Sequence, residues 1–112
     1  MTEKLGLSAD EVLTTTRAVR KRLDLTRPVP RDVLVECIDI AHQSPTGSNS
    51  QRWRWMMIED AAKKQVIADI YRTNFAAAYA GAPEPAPGSQ ADRVNQSARY
   101  LAEHLHEVPV LV

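Results

Sequence analysis

The residues Ser44-Pro45-Thr46-Gly47-Ser48-Asn49-Ser50-Gln51-Arg52-Trp53 form a run of small and turn-forming side chains that leads directly into Arg54-Trp55-Met56-Met57-Ile58. Pro45 fixes one φ, Gly47 has no Cβ to keep a ligand at a distance, and Thr46, Ser48 and Asn49 carry hydrogen-bonding groups on short stems. Such a ribbon can lie flat against a planar heterocycle with a polar edge. Upstream, Thr16-Arg17-Ala18-Val19-Arg20-Lys21-Arg22 gathers cations, and Arg17 and Arg20 offer planar, multidentate donors for an anion or an electron-rich ring. Each feature taken alone has a plainer reading. Turn formers mark ordinary helix-to-strand connections, and an arginine pair commonly solvates a helix end.

The elements that must position these residues follow from capping and periodicity. Ser8-Ala9-Asp10-Glu11 has the form of a capping box and predicts a helix from Ala9 to Thr16. Arg27-Pro28-Val29-Pro30-Arg31 delays the next helix until its last proline, which suits a first turn. Val33, Leu34, Cys37, Ile38 and Ala41 then recur at helical spacing, opposite Arg31, Asp32, Glu36 and Asp39. That helix stops near Gln43 and feeds the small-residue loop. Trp53 to Ile58 reads as a strand covered on both faces, with Trp53 and Trp55 as core residues. Asp60 starts a helix through Val66, Ile67 and Ile70 toward Ala80, on which Tyr71, Phe75 and Tyr79 read as a buried stripe. The Gly81–Gly88 stretch, with three prolines, is a surface loop. A last helix aligns Val94, Ala98, Leu101 and Leu105 before the apolar strand Val108-Pro109-Val110-Leu111-Val112. A final strand of that kind presents an unpaired edge, so the 112 residues are expected to be the N-terminal portion of one incomplete α+β domain.

Composition narrows the partners. With 44% hydrophobic and 25% charged residues the chain has the balance of a soluble globular protein, and a formal net charge of zero removes the electrostatic case for nucleic acid or an anionic membrane. No apolar run is long enough to span a bilayer, and Met1-Thr2-Glu3-Lys4 does not open a secretion signal, so a cytoplasmic location is expected. The single Cys37 reads as a small hydrophobe on the apolar side of its helix rather than a nucleophile. His104 and His106 sit two apart and read as surface residues, poor joint metal ligands, and His42 reads as a helix-end histidine favoured by the dipole. No metal site and no acid/base pair emerges.

Taken together, Thr16-Arg17-Ala18-Val19-Arg20, a helix, and Pro45-Thr46-Gly47-Ser48-Asn49-Ser50-Gln51-Arg52-Trp53 resemble the nitroreductase family of flavoproteins from about Val12 onward. The second element carries most of the likeness. The resemblance implies a central mixed or antiparallel sheet flanked by helices, a homodimer, and an FMN-dependent oxidoreductase. In it NAD(P)H reduces the flavin and a nitroaromatic or quinone-like acceptor takes the electrons. It also implies cofactor-binding roles for Arg17, Ala18, Arg20, Pro45, Thr46, Gly47 and Asn49: Arg17 at the phosphate, Arg20 at the O2/N1 side of the ring, and the loop against the isoalloxazine from the partner subunit. Gln51 is a minor candidate. This chain has Arg52 where the family usually has proline, and Ala18 where many members have a serine hydroxyl. Alternatives within the resemblance are dehalogenation, flavin breakdown, or a non-catalytic flavin-binding or dimerising fragment.

Overall fold

The computed structural model describes residues 5–112, so the Met1–Lys4 terminus lies outside the described residues. Four α-helices dominate: α1 (Ala9–Thr15), α2 (Arg31–Ala41), α3 (Ala61–Tyr79) and α4 (Gln90–His104), with 3₁₀ turns at Gly47–Asn49 and Leu105–Glu107.

The capping box of α1 forms as its residues predict. Ser8 Oγ accepts from the Glu11 amide at 3.2 Å, and Glu11 Oε2 accepts from the Ser8 amide at 2.7 Å. The helix stops at Thr15, one residue early. The hydroxyls of Thr14, Thr15 and Thr16 donate back to the carbonyls of Asp10, Glu11 and Val12, local bonding that does not favour further helix. The Ser8 backbone bond, followed by the Ser8 hydroxyl, holds the Glu11 carboxyl below the ordinary glutamate range. Because the folded value is the depressed one, the cap's contribution is complete above the ordinary glutamate value and is lost as pH falls through the folded value. Backbone chemical shifts of residues 9–15 are therefore expected to move toward coil on acidification; shifts that stay helical in strong acid would remove this role for Glu11.

Pro30 precedes α2 instead of sitting inside it, and its carbonyl accepts from the Leu34 amide at 3.3 Å. Leu34 is the buried residue of this helix, sharing a cavity wall with Trp55, Met56 and Met57. Cys37 is exposed, contrary to the sequence expectation, because among the described elements no other helix packs against α2.

The described core lies where α3, α4 and the Leu105–Glu107 turn meet. Asp60 caps α3 by accepting from the Lys63 amide at 2.9 Å, and Ser89 caps α4 by accepting from the Asp92 amide at 3.1 Å. Ala68 on α3 and Ala102 on α4 are 0% and 2% exposed, small residues at a close helix–helix approach. Ala68→Leu is expected to lower stability by about 1–3 kcal/mol through overpacking, read as a fall in denaturant midpoint; an unchanged midpoint would place Ala68 outside the core. Lys64 is buried on the same face, and its Nζ donates to the Val108 carbonyl at 2.7 Å, tying the C-terminal segment to α3.

The predicted strands are formed only in part. Ile58 and Leu111 make one antiparallel bridge, with Ile58 N–H to Leu111 O at 2.8 Å and Leu111 N–H to Ile58 O at 3.0 Å. No further ladder joins them among the described residues. Two isolated extended segments have little stability without a third strand. The Trp53–Ile58 segment is accordingly not covered on both faces: Met56 is 71% exposed and Trp53 and Trp55 about two-fifths. Tyr71, Phe75 and Tyr79 do line up, with centroids 6.2 and 4.4 Å apart, but Tyr71 and Tyr79 are exposed where a buried stripe was expected. Val66, Ile70 and Val94 are exposed as well. The radius of gyration is 17.0 Å, against about 13–14 Å for a compact chain of this length. The accessible surface is 9125 Å², against about 6,200 Å² for a compact monomer. No described helix is long and apolar enough to cross a membrane.

Candidate functional site

The small-residue loop is held by its own hydrogen bonds. Asn49 N–H donates to Thr46 O at 2.9 Å, Ser50 N–H to Gly47 O at 3.1 Å, and Gln51 N–H to Thr46 Oγ1 at 3.0 Å. Ser48, Asn49 and Gln51 all take positive φ, at 54°, 50° and 45°. Asparagine accepts this region readily, whereas serine and glutamine bear a cost of order 1 kcal/mol each. The loop's shape is thus maintained against local preference, as happens where a backbone is arranged for a ligand.

Side chains extend this arrangement into the following segment. Gln51 bonds Asn49, Ser44 O and Trp53, and Trp53 stacks on Trp55 with centroids 6.0 Å apart. Trp55 Nε1 donates to His42 Nε2 at 2.7 Å. His42 caps the C-terminal end of α2, the helix-end place expected for it, and through this bond it also ties that helix end to Trp55 across the loop's base. Gln51, a minor candidate from sequence, is the hub of the network.

The two arginines are placed differently. Arg17 Nη1 donates to the carbonyls of Thr16 at 2.8 Å and Thr14 at 3.2 Å, satisfying the end of α1. Arg20, half-buried in the bend that follows, has no side-chain hydrogen bond among the described residues. Ala18 lies between them, exposed. Among the described residues no hydrogen bond links Arg17, Ala18 or Arg20 to Pro45, Thr46, Gly47 or Asn49. A groove of about 550 Å³ runs along the charged face of α2 between Arg31 and Asp39. An apolar groove of about 380 Å³ lies between Met56, Ile58 and the start of α3.

No group of three or more His, Cys, Asp or Glu side chains among the described residues is arranged for a metal. His104 Nδ1 pairs with Glu107, whose carboxyl that bond holds below the ordinary range, and its ring packs on Tyr100. His106 is half-buried and not a plain surface residue.

Residues 13–112 match the Nitroreductase family over nearly the whole chain. The chain belongs to that family. It is 31% identical over 83 residues to the 5,6-dimethylbenzimidazole synthase of Rhodospirillum rubrum, covering 74% of this chain and 36% of the relative. It is 30% identical over 98 residues to the chloronitrobenzene nitroreductase of Comamonas testosteroni, covering 88% of this chain and 37% of the relative. The chain thus spans little more than a third of the length of these nitroreductase-type relatives. No solved structure matches it. Family membership gives the Pro45–Trp53 loop and the Arg17–Arg20 turn their common context, since both fall inside the matched residues.

Proposed function

We propose that this chain is part of an FMN-dependent NAD(P)H oxidoreductase of the nitroreductase type, working as a homodimer with a central sheet completed beyond the single Ile58–Leu111 pair. The observation that carries the reading is the loop itself. Three non-glycine residues in left-handed conformation hold a ribbon whose Gly47 has nothing within 4 Å of where a Cβ would stand. Nothing in the chain requires glycine at that position, so the open space there suits an outside occupant. Arg20, with its guanidinium uncommitted, suits the electron-rich pyrimidine edge of a flavin, and a positive charge there favours the reduced ring. Arg17 would turn from the α1 carbonyls to the phosphate, with Ala18 offering its backbone beside it. Pro45, Thr46, Gly47 and Asn49 would lie along the isoalloxazine of the neighbouring subunit. Bound FMN would supply the hydride and electron chemistry; the protein's part is to place the stacked reactants and tune the ring.

That no hydrogen bond among the described residues joins the arginine turn to the loop is consistent with a site shared between copies. So is the accessible surface of 9125 Å², about 3,000 Å² more than a compact monomer exposes. The exposed Trp53, Met56, Ile70 and Tyr79 are the kind of surface that association buries. A small-molecule acceptor such as a nitroaromatic or quinone fits the reading, and the nitroaromatic fits the Comamonas relative's name. A cytoplasmic place, with no nucleic acid or membrane partner, fits the neutral charge.

A second reading, chemistry in which the flavin is broken down to build a benzimidazole, is favoured by the likeness to the Rhodospirillum rubrum protein. One assay separates the two. The complete protein with FMN is mixed with NAD(P)H and a nitroaromatic or quinone. Acceptor-dependent NAD(P)H oxidation with the flavin spectrum conserved is expected; loss of the flavin chromophore without acceptor turnover would favour the second reading, and no FMN binding would refute both.

A further inference from the structure

Gln51 stands between two partners whose hydrogen-bonding sense cannot reverse. The Trp53 indole nitrogen only donates, and it lies 3.1 Å from Gln51 Oε1. The Ser44 carbonyl only accepts, and it lies 3.4 Å from Gln51 Nε2. A fixed donor on one atom of the amide and a fixed acceptor on the other admit a single orientation of that group. Gln51 therefore turns an N–H toward Asn49, whose Oδ1 receives it at 3.0 Å. The polarity passes on. With its oxygen engaged, the Asn49 side chain is left with two N–H donors that take no partner among the described residues.

We propose that Gln51 is a positioning residue, set by Trp53 and Ser44, that holds Asn49 as a hydrogen-bond donor toward an acceptor atom of the flavin ring. This rests on the assignment of Asn49 to the flavin under the proposed function. Without Gln51 the Asn49 amide can present either its oxygen or its nitrogen, and only the nitrogen complements a ring carbonyl or imine nitrogen. Those ring atoms become more electron-rich on reduction, so a fixed donor also favours the reduced flavin. Arg52 beside this hub makes no side-chain hydrogen bond among the described residues, so the polarity is set by Gln51 and not by the residue that departs from the family pattern.

A double-mutant cycle on the holoprotein tests this, with Gln51→Met, Asn49→Ala and the double variant, reading FMN Kd and flavin midpoint potential. Gln51→Met is expected to raise Kd by roughly threefold to tenfold, the size of one hydrogen bond, and to move the potential negative. In the Asn49→Ala background it is expected to add nothing, because its effect runs through Asn49. A residue that only stiffened the loop would shift both readouts equally in the two backgrounds, and that result, or no shift at all, would overturn the proposal while leaving flavin binding by the wild type intact. A second measurement needs no cofactor: the Trp53 indole N–H is expected to exchange more slowly with water in the wild type than in Gln51→Met. Equal exchange would overturn the proposal independently. If Gln51→Met does not fold, Gln51→Glu, which keeps the oxygen for Trp53 but removes the donor to Asn49, completes the same cycle.

Discussion

Arg20→Ala is expected to weaken FMN binding by roughly tenfold to a hundredfold, the range of one hydrogen bond from a charged donor, with little change in thermal stability. The asymmetry follows from where the two arginines sit. Arg17 is engaged by the carbonyls of Thr14 and Thr16, so removing it disturbs the end of α1 as well as any ligand. The Arg20 side chain bonds nothing among the described residues, so its removal leaves no buried acceptor without a donor. Its effect on stability is therefore expected to stay below about 1 kcal/mol, since the half-buried side chain breaks no hydrogen bond when removed. Equilibrium titration of the holoprotein separates the outcomes. Unchanged FMN affinity in Arg20→Ala would mean that this guanidinium merely solvates the bend after α1.

Gly47→Val is expected to abolish flavin binding while the polypeptide folds as before. A Cβ at Gly47 meets no atom within 4 Å, and its φ lies outside the left-handed region, so valine fits the free chain. A β-branched side chain raised from the ribbon would nonetheless stand where the ring must lie. Loss of at least about 3 kcal/mol of binding, roughly a hundredfold or more, is expected from such an obstruction. A Gly47→Val protein with normal flavin absorbance and normal affinity would place the ring elsewhere. The pairing of a silent stability readout with a large binding readout is what distinguishes a ligand-facing glycine from one needed by its turn.

Local chemistry was legible in the sequence to the extent that local chemistry decides it. Ser8 with Glu11, and Asp60, set helix starts through bonds spanning three residues, and those helices begin where their caps indicate. Features that depend on distant partners were not legible. Cys37, Trp53 and Met56 carry an apolar pattern that implies burial, yet the surfaces that would cover them are not among the described residues, and they stand exposed. The strand reading of Trp53 to Ile58 met the same limit, since a ladder needs a neighbouring strand and among the described residues only Leu111 bridges it. At the candidate site the composition of the loop was readable, but its hub was not. Gln51 gains its role from a positive φ and three simultaneous hydrogen bonds, which residue type alone does not announce.

The shared-site account is tested most directly by combining two binding-impaired variants at an FMN concentration that fills the wild type but neither parent variant. Arg20→Ala and Gly47→Val chains are coexpressed with different tags, the mixed dimer is isolated, and its flavin is counted by visible absorbance. In that dimer one site carries both defects and the other carries neither, so about one FMN per mixed dimer is expected although each parent dimer binds none tightly. A mixed dimer that holds no more flavin than its parents at that FMN concentration, with both chains folded, would contradict a flavin held between the arginine turn of one subunit and the loop of the other.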